Sequence, residues 1–220
     1  MPGDVDLGLV AGSVIDRGAD APYASCVVHV VSCPEADTPG FLRAQVRAAQ
    51  EQAWPSQEAA QAASLDPVHD PALRPVSLLL VHGDEVLSAL DLLFKTIEHA
   101  GAKRDAVGLS TVVTPAAHRG QGHGHQLVSY ARRTVADRGV DVALFTCDRP
   151  LERFYTDAGW ETLPGTVLVG GTATDPLLSD SPGMDKATLG AFLTPRAARA
   201  RTAFIGGRIL LHSGAIDRLW

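Results

Sequence analysis

The hydrophobic and polar positions of this chain change period several times, and each change marks an element. SCVVHVVSC (25–33) is a short β-branched and apolar run and reads as a first strand. In the following DTPGFLRAQVRAAQEQAW, Leu42, Val46, Ala49 and Ala53 recur at helical spacing, with Asp37 or Thr38 placed to cap and Pro39 in the first turn. Pro55 stops that helix, and Pro55, Pro67, Pro71 and Pro75 make 55–75 a broken helix and loop. VSLLLVHGDEVLSALDLLF (76–94) predicts two strands joined in a hairpin at His82-Gly83-Asp84-Glu85. A third strand, 105–114, ends at Pro115. A glycine-rich stretch then enters a helix whose buried stripe is Leu127, Val128, Ala131 and Val135, with Gly139 placed as its left-handed C-terminal cap.

VDVALFT (140–146) is a buried strand, Asp148 and Pro150 open a short helix PLERFYTDA closed by Gly159, and GTVLVGG (165–171) is another strand. A Pro/Ser/Asp-rich loop (173–185) leads through ATLGAFL to an Arg/Ala-rich helix around 195–203 and a last strand near GRILLH. The order β, α, three antiparallel strands, glycine loop, α, β, α, β predicts a mixed α/β fold. Residues 1–23, rich in Gly, Asp and Ala without periodicity, are expected to be a flexible leader, and 24–220 a single domain.

Composition narrows the function classes. With 45% hydrophobic and 20% charged residues in 220, the chain can bury a core of its own. The formal charge of −6 argues against general nucleic-acid binding, which needs a clustered basic surface, and suits a cationic substrate. Cys26, Cys33 and Cys147 are odd in number and lack CxxC spacing, so no disulfide framework is expected and a reducing, cytoplasmic location is the default. The first twenty residues lack the basic and apolar regions of a signal peptide, and no apolar run approaches the ~18 residues of a membrane span.

The candidate chemistry begins in HRGQGHGH (118–125), which follows a strand and opens a helix. A dinucleotide fingerprint fails because His125 stands at its third glycine, and a P-loop fails because no Gly-Lys-Ser/Thr ends it. The pattern that fits is R-x-x-G-x-G, with Arg119, Gly122 and Gly124. Glycines let backbone N–H groups approach an anion closely, and the helix start adds its positive end, so a pyrophosphate is the natural guest. His118, His123 and His125 have no fixed ligand spacing and read as solvated loop residues rather than a metal site.

VVTPAAHRGQGHGHQLV (112–128), followed at matching distance by LERFYTDAGW (151–160), resembles the acetyl-CoA motif and the F-Y-x-x-x-G-[FW] motif of the GNAT family of N-acetyltransferases. The resemblance is firm over about 76–160, the acetyl-CoA core, and rests on element order over 24–75. It leaves about 161–220 as a C-terminal, substrate-side segment. It implies a mostly antiparallel central sheet with two splayed parallel strands, here 105–114 and 140–146, flanked by helices. Acetyl-CoA is the implied acetyl donor. Its pantetheine arm would pair with the backbone of Val112, Val113 and Thr114 like an added strand, near Thr146 of the opposite strand. The amides of Arg119, Gly120, Gln121, Gly122, His123 and Gly124 would hold the pyrophosphate, and a backbone N–H of the 105–114 strand would polarise the thioester carbonyl.

The same resemblance makes Tyr155 the acid that protonates the leaving thiolate, with direct attack by the amine and Cys147 a bystander. Asp91, Glu98, His99, Asp105 and Ser110 are the candidates for the base, none singled out. A closer likeness is to aminoglycoside 2′-N-acetyltransferases: Arg119-Gly120-Gln121, Gly159-Trp160, and Asp217 shortly before Trp220. There the C-terminal end enters the substrate site, so Asp217 and the free carboxylate of Trp220 would bind ammonium groups. This chain departs by having Ser110 where those enzymes carry a glutamate, and by one extra residue between Asp217 and Trp220; Asp175, Asp180 and Asp185 are candidates for replacement charge. The expected acceptor is therefore a small-molecule amine, with an aminoglycoside as the sharper form. Acetylation of a peptide or protein amine, or a non-catalytic acetyl-CoA-binding module, are the alternatives. Related enzymes are often dimers, which makes a homodimer an expectation by analogy.

Overall fold

The computed structural model describes residues 27–55, 64–211, 214, 216, 219 and 220. The expected leader and Cys26 lie outside the described residues. Seven strands form the main sheet in the order β1-β2-β3-β4-β5-β9-β6: β1 (Val28–Pro34), β2 (Val76–His82), β3 (Glu85–His99), β4 (Ala102–Val113), β5 (Val142–Asp148), β6 (Glu161–Thr162) and β9 (Lys186–Phe192). Every neighbouring pair is antiparallel except β4 and β5, which run parallel. A mixed, mostly antiparallel sheet is thus observed as the sequence predicts.

Helices cover both faces because β2 is apolar on both. Leu79 and Val81 point to α1 (Gly40–Ala53) and pack with its Leu42, Val46 and Ala49. Leu78 and Leu80 point the other way, into the core that holds Leu127, Val128, Ala131 and Val135 of α2 (His123–Asp137). A strand buried on both sides reads as the continuous run SLLLV rather than as alternation.

Three boundaries differ from the sequence reading. The sequence pattern ends the second strand at 94 and begins the third at about 105, whereas β3 and β4 continue through 95–104 and meet at Ala100 and Gly101, with φ of 51° and 71°. Two consecutive left-handed residues make the tight hairpin that matches strand twist. The segment reads as loop because Thr96, Glu98 and Lys103 are exposed polar residues of a solvated strand end. The 195–203 helix is two short pieces, α4 (Pro195–Arg199) and α5 (Arg201–Phe204). Three of the four strands after β6 also leave the main sheet, β9 alone remaining in it. β7 (Val167–Gly171), β8 (Pro176–Leu178) and β10 (Arg208–Leu210) form a second sheet in the order β10-β7-β8, so part of the predicted 173–185 loop is strand. No helix among the described residues is long and apolar enough to cross a membrane.

Asp141 ties the start of β5 to its surroundings. Its buried carboxylate accepts from Arg196 through both Nε and Nη2, from Thr194 Oγ1 at 2.8 Å and from the Asp105 N–H at 3.1 Å. The Arg196 hydrogen bond, set against burial, holds this acid down at about 2. An unfolded Asp titrates near ~3.9, so the depressed value contributes stability above that pH, which is lost as pH falls through about 2. The Arg196 side chain is 59% exposed, so salt trims the effect. Asp141→Asn is expected to lower stability by about 2 kcal/mol at neutral pH and low salt. Urea unfolding at pH 7 and near pH 2 checks it, the two proteins converging at the acid end.

Candidate active site

The site grows out of how β4 and β5 part. Their parallel pairing is confined to Ala106↔Val142 and Val107↔Ala143, yet β4 continues to Val113 and β5 to Asp148. Beyond these pairs the strands diverge into a fork, and each presents an unpaired backbone edge to it. A β-bulge enhances the divergence. Between Ala89↔Val113 and Asp91↔Ser110 the β4 strand has one residue more than β3. Thr111 sits there at φ 49°, a costly conformation for a β-branched residue, and its Oγ1 donates to Asp91 Oδ2 at 2.6 Å. The other oxygen of Asp91 accepts from Ser77 Oγ at 2.5 Å. A fully buried carboxylate therefore pins the bulge. Burial pushes that acid up, despite the opposing influence of His69, Ser77 and Thr111.

At the mouth of the fork the chain passes from β4 through Thr114 to the glycine loop. Ser88 Oγ donates to the Val113 carbonyl at 3.0 Å and lies 3.1 Å from Thr114 Oγ1, while Arg119 Nε donates to the Thr114 carbonyl at 3.0 Å. Gly122 is the N-cap of α2 at φ 83°, with Gly120 at 74°. Among the described residues, the N–H groups of 120–125 donate to no protein acceptor, and they stand at the positive end of a 15-residue helix. Val112 and Val113 end β4, Thr114 follows them, and residues 119–124 come after the short turn Ala116–His118. Gln121 turns back to the Ala117 carbonyl at 3.0 Å, and His118 meets Glu85 at 2.9 Å. Thr146 lies across the fork on β5, opposite Thr188 of β9.

Tyr155 lies in α3 (Glu152–Asp157), which follows β5. Its ring is buried against Phe145 and Phe154, with centroids 5.0 and 4.9 Å away. Burial, with Cys147 and Asp148, raises its phenol well above the ordinary value, so the hydroxyl stays protonated across the neutral range. Burial likewise pushes the Cys147 thiol up to about 11, which withholds the thiolate a nucleophile needs.

The closed end of the fork is filled by Trp220. Its indole N–H donates to the Leu144 carbonyl, just past the last paired residue of β5, and the side chain is buried. Asp217 lies outside the described residues. Asp185 is exposed and paired with Arg149 at 2.9 Å. Among the suggested bases, Glu98, His99 and Asp105 lie in the outer part of the β3–β4 hairpin, on the far side of the β4–β5 pairs from the bulge; His99 bonds the Ala203 carbonyl at 2.7 Å and Asp105 accepts from Thr96 at 3.1 Å.

Ser110 is different. Its Oγ lies 3.0 Å from His69 Nε2, and His69 Nδ1 lies 3.2 Å from Glu35 Oε2. Glu35 also accepts from the Val68 N–H at 2.6 Å and the His69 N–H at 3.3 Å. Burial alone would raise the Glu35 carboxyl, but the hydrogen bonds from His69 and Val68 overcome it and hold the acid below its usual range. Neither Glu35 nor His69 carried any local signal in the sequence: one follows the first strand, the other sits in a proline-rich connection.

The residues 32–163 match the model of the acetyltransferase (GNAT) domain family. Among solved structures, an aminoglycoside 6′-N-acetyltransferase complexed with coenzyme A shares 15% identity over 76% of this chain and 98% of its own, with a TM-score of 0.51. An acyl-CoA N-acyltransferase from Pseudomonas aeruginosa shares 19% over 74% and 98%, with a TM-score of 0.50. An aminoglycoside 6′-acetyltransferase type Ii shares 17% over 76% and 98%, also with a TM-score of 0.50. At such identities these likenesses speak to the fold. No curated protein matches the sequence. The family model spans more than half of the chain and covers the fork, the glycine loop and Tyr155, so this protein belongs to the GNAT family and is an N-acetyltransferase.

Proposed function

We propose that the chain transfers an acetyl group from acetyl-CoA to a primary amine of a small molecule, by direct attack of the amine on the thioester. The observation that carries this reading is the opening of the β4–β5 fork immediately below a left-handed glycine loop with free N–H donors. Pantetheine would add to the unpaired edge of β4 toward Val112, Val113 and Thr114, and the pyrophosphate would rest on residues 119–124. At the bulge Thr111 and Val112 have no register partner on β3, and a backbone N–H there would be a suitable donor for the thioester oxyanion. Tyr155 supplies the proton for the departing sulfur. Cys147, held as a thiol, takes no part, and no covalent enzyme intermediate is required.

The sharper form of the proposal is an aminoglycoside acetylated at its 2′ amine. It is supported by Arg119-Gly120-Gln121, by Gly159-Trp160 and by the placing of Trp220 at the fork. The test is thiol release from acetyl-CoA across paired aminoglycosides bearing an amine or a hydroxyl at the 2′ carbon, together with polyamines and peptides. Turnover that requires the 2′ amine is the expected result. Turnover of other small amines alone discards the aminoglycoside, and turnover of peptides alone discards the small-molecule acceptor. Gly122→Val is the binding control. A β-branched residue costs about 1–2 kcal/mol at φ 83° and would swing the loop, so acetyl-CoA should bind at least tenfold more weakly by calorimetry. Gly122→Asn, which tolerates that φ, should lose less.

A further inference from the structure

The family assignment explains the fork, the loop and Tyr155, but leaves the proton of the incoming amine without a destination. An amine that carries a positive charge at neutral pH cannot attack a carbonyl until it loses a proton. Of the five suggested bases, Ser110 and Asp91 are at the bulge. Asp91 is fully buried, and both of its carboxylate oxygens are occupied by Ser77 and Thr111. Ser110 is a hydroxyl with no basicity of its own. It is, however, the half-buried end of a chain whose other members are buried: His69 is 4% exposed and Glu35 is 5% exposed.

The direction of that chain follows from its chemistry. Glu35 is held as a carboxylate and can only accept, so His69 Nδ1 carries the hydrogen facing it. The backbone N–H groups of Val68 and His69 fix the same carboxylate, which locks the ring. When the ring is neutral with Nδ1 protonated, Nε2 keeps a lone pair 3.0 Å from Ser110 Oγ; the charged ring, which Glu35 and Asp91 both favour, is the form it takes on receiving a proton. Glu35 follows β1, His69 lies on the connection before β2, and Ser110 is on β4; separations of 34 and 41 residues converge on one bulge. Resting on the acetyltransferase reading above, we propose that Ser110, His69 and Glu35 form the proton relay that deprotonates the acceptor amine. Ser110 touches the amine as the catalytic residue, His69 stores the proton, and Glu35 is a positioning residue.

The ammonium gives one proton to Ser110 Oγ while the Ser110 hydroxyl proton moves to His69 Nε2. The freed nitrogen lone pair forms the C–N bond to the thioester carbon, and the C–S bond breaks as the sulfur takes the Tyr155 proton. The second proton shed by the nitrogen restores Tyr155 through solvent. His69 then returns its proton to water. The net products are the amide, the CoA thiol and one proton.

The test compares two kinds of acceptor at pH 7.5: the basic amine turned over best in the panel, and hydroxylamine, which is already neutral there. In Ser110→Ala and His69→Ala, kcat for the basic amine is expected to fall roughly 10²-fold with KM for acetyl-CoA little changed, while hydroxylamine turnover falls at least about tenfold less. Glu35→Gln should show the same asymmetry. Equal losses for both acceptors, or no loss, overturn the relay. So does an acetyl adduct on Ser110 detected by mass spectrometry, which would make it a nucleophile. If the wild type turns over no amine, the functional reading fails separately, and the relay is judged on the ¹⁵N-histidine spectrum. A neutral ring protonated at Nδ1, with an Nε2 resonance that moves in Ser110→Ala, supports it; the opposite tautomer refutes it.

Discussion

Gly108→Ala is expected to destabilise this protein by roughly 3–5 kcal/mol, the cost of unseating a buried tryptophan. A Cβ at this position would run into Nε1 and Cδ1 of the Trp220 indole, so the two side chains cannot share the fork. At an unobstructed strand position the same change stabilises by ~0.5–1 kcal/mol, because alanine loses less chain entropy than glycine. The sign of the effect therefore reports on Trp220. The indole fills the point where β4 and β5 begin to diverge, and its N–H serves a Leu144 carbonyl left without a strand partner on that side. A fork that opened without this plug would leave a buried backbone acceptor and a void. Trp220→Ala should cost a comparable amount, and in that background Gly108→Ala should cost little or become favourable. Urea unfolding of the four proteins tests this; simple additivity of the two single changes would show that Gly108 and Trp220 do not meet.

What the sequence disclosed and what it hid have distinct physical origins. β2, the Gly83 turn, α2 and β5 are elements whose hydrophobic pattern is decided within a few residues, and they stand where the pattern puts them. The glycine loop was legible because a left-handed N-cap strongly favours glycine, and Gly122 is that residue. The β3–β4 hairpin at Ala100–Gly101 was missed because its flanks are solvated and carry Thr96, Glu98 and Lys103 outward, which removes the apolar contrast a strand is read from. β8, three residues long, has too few positions to show alternation.

The polar chain at the bulge was hidden for another reason. Glu35 looks like a residue that ends a strand, and His69 stands among prolines in what reads as a connection. Only the folded register brings them to Ser110, through pairing of β1 with β2, β2 with β3 and β3 with β4. The same pairing aligns Cys33, Ser77, Asp91 and Ser110 across four strands, a polar row beneath α1 that period-two reading of any one strand does not reveal.

Tyr155→Phe is expected to lower kcat by about 10²-fold or more while KM for acetyl-CoA stays within a few-fold, as removal of a general acid does. The substitution isolates the hydroxyl because the ring is the structural part of the side chain. Phe145 and Phe154 hold it edge to face, and phenylalanine keeps both contacts. The melting temperature should accordingly move little. The raised phenol fixes the sign of the pH dependence. A group pushed above its ordinary ~10 is still fully protonated at pH 8–9, so Tyr155 contributes no alkaline fall in kcat over that range. On the proposed mechanism the departing thiolate would meet an intact O–H donor from pH 6 to 9, and that proton is not the one the Ser110 relay would carry. Steady-state rates of the wild type and Tyr155→Phe from pH 6 to 9 check both statements. A variant that keeps near-wild-type kcat would mean that water, not Tyr155, protonates the sulfur.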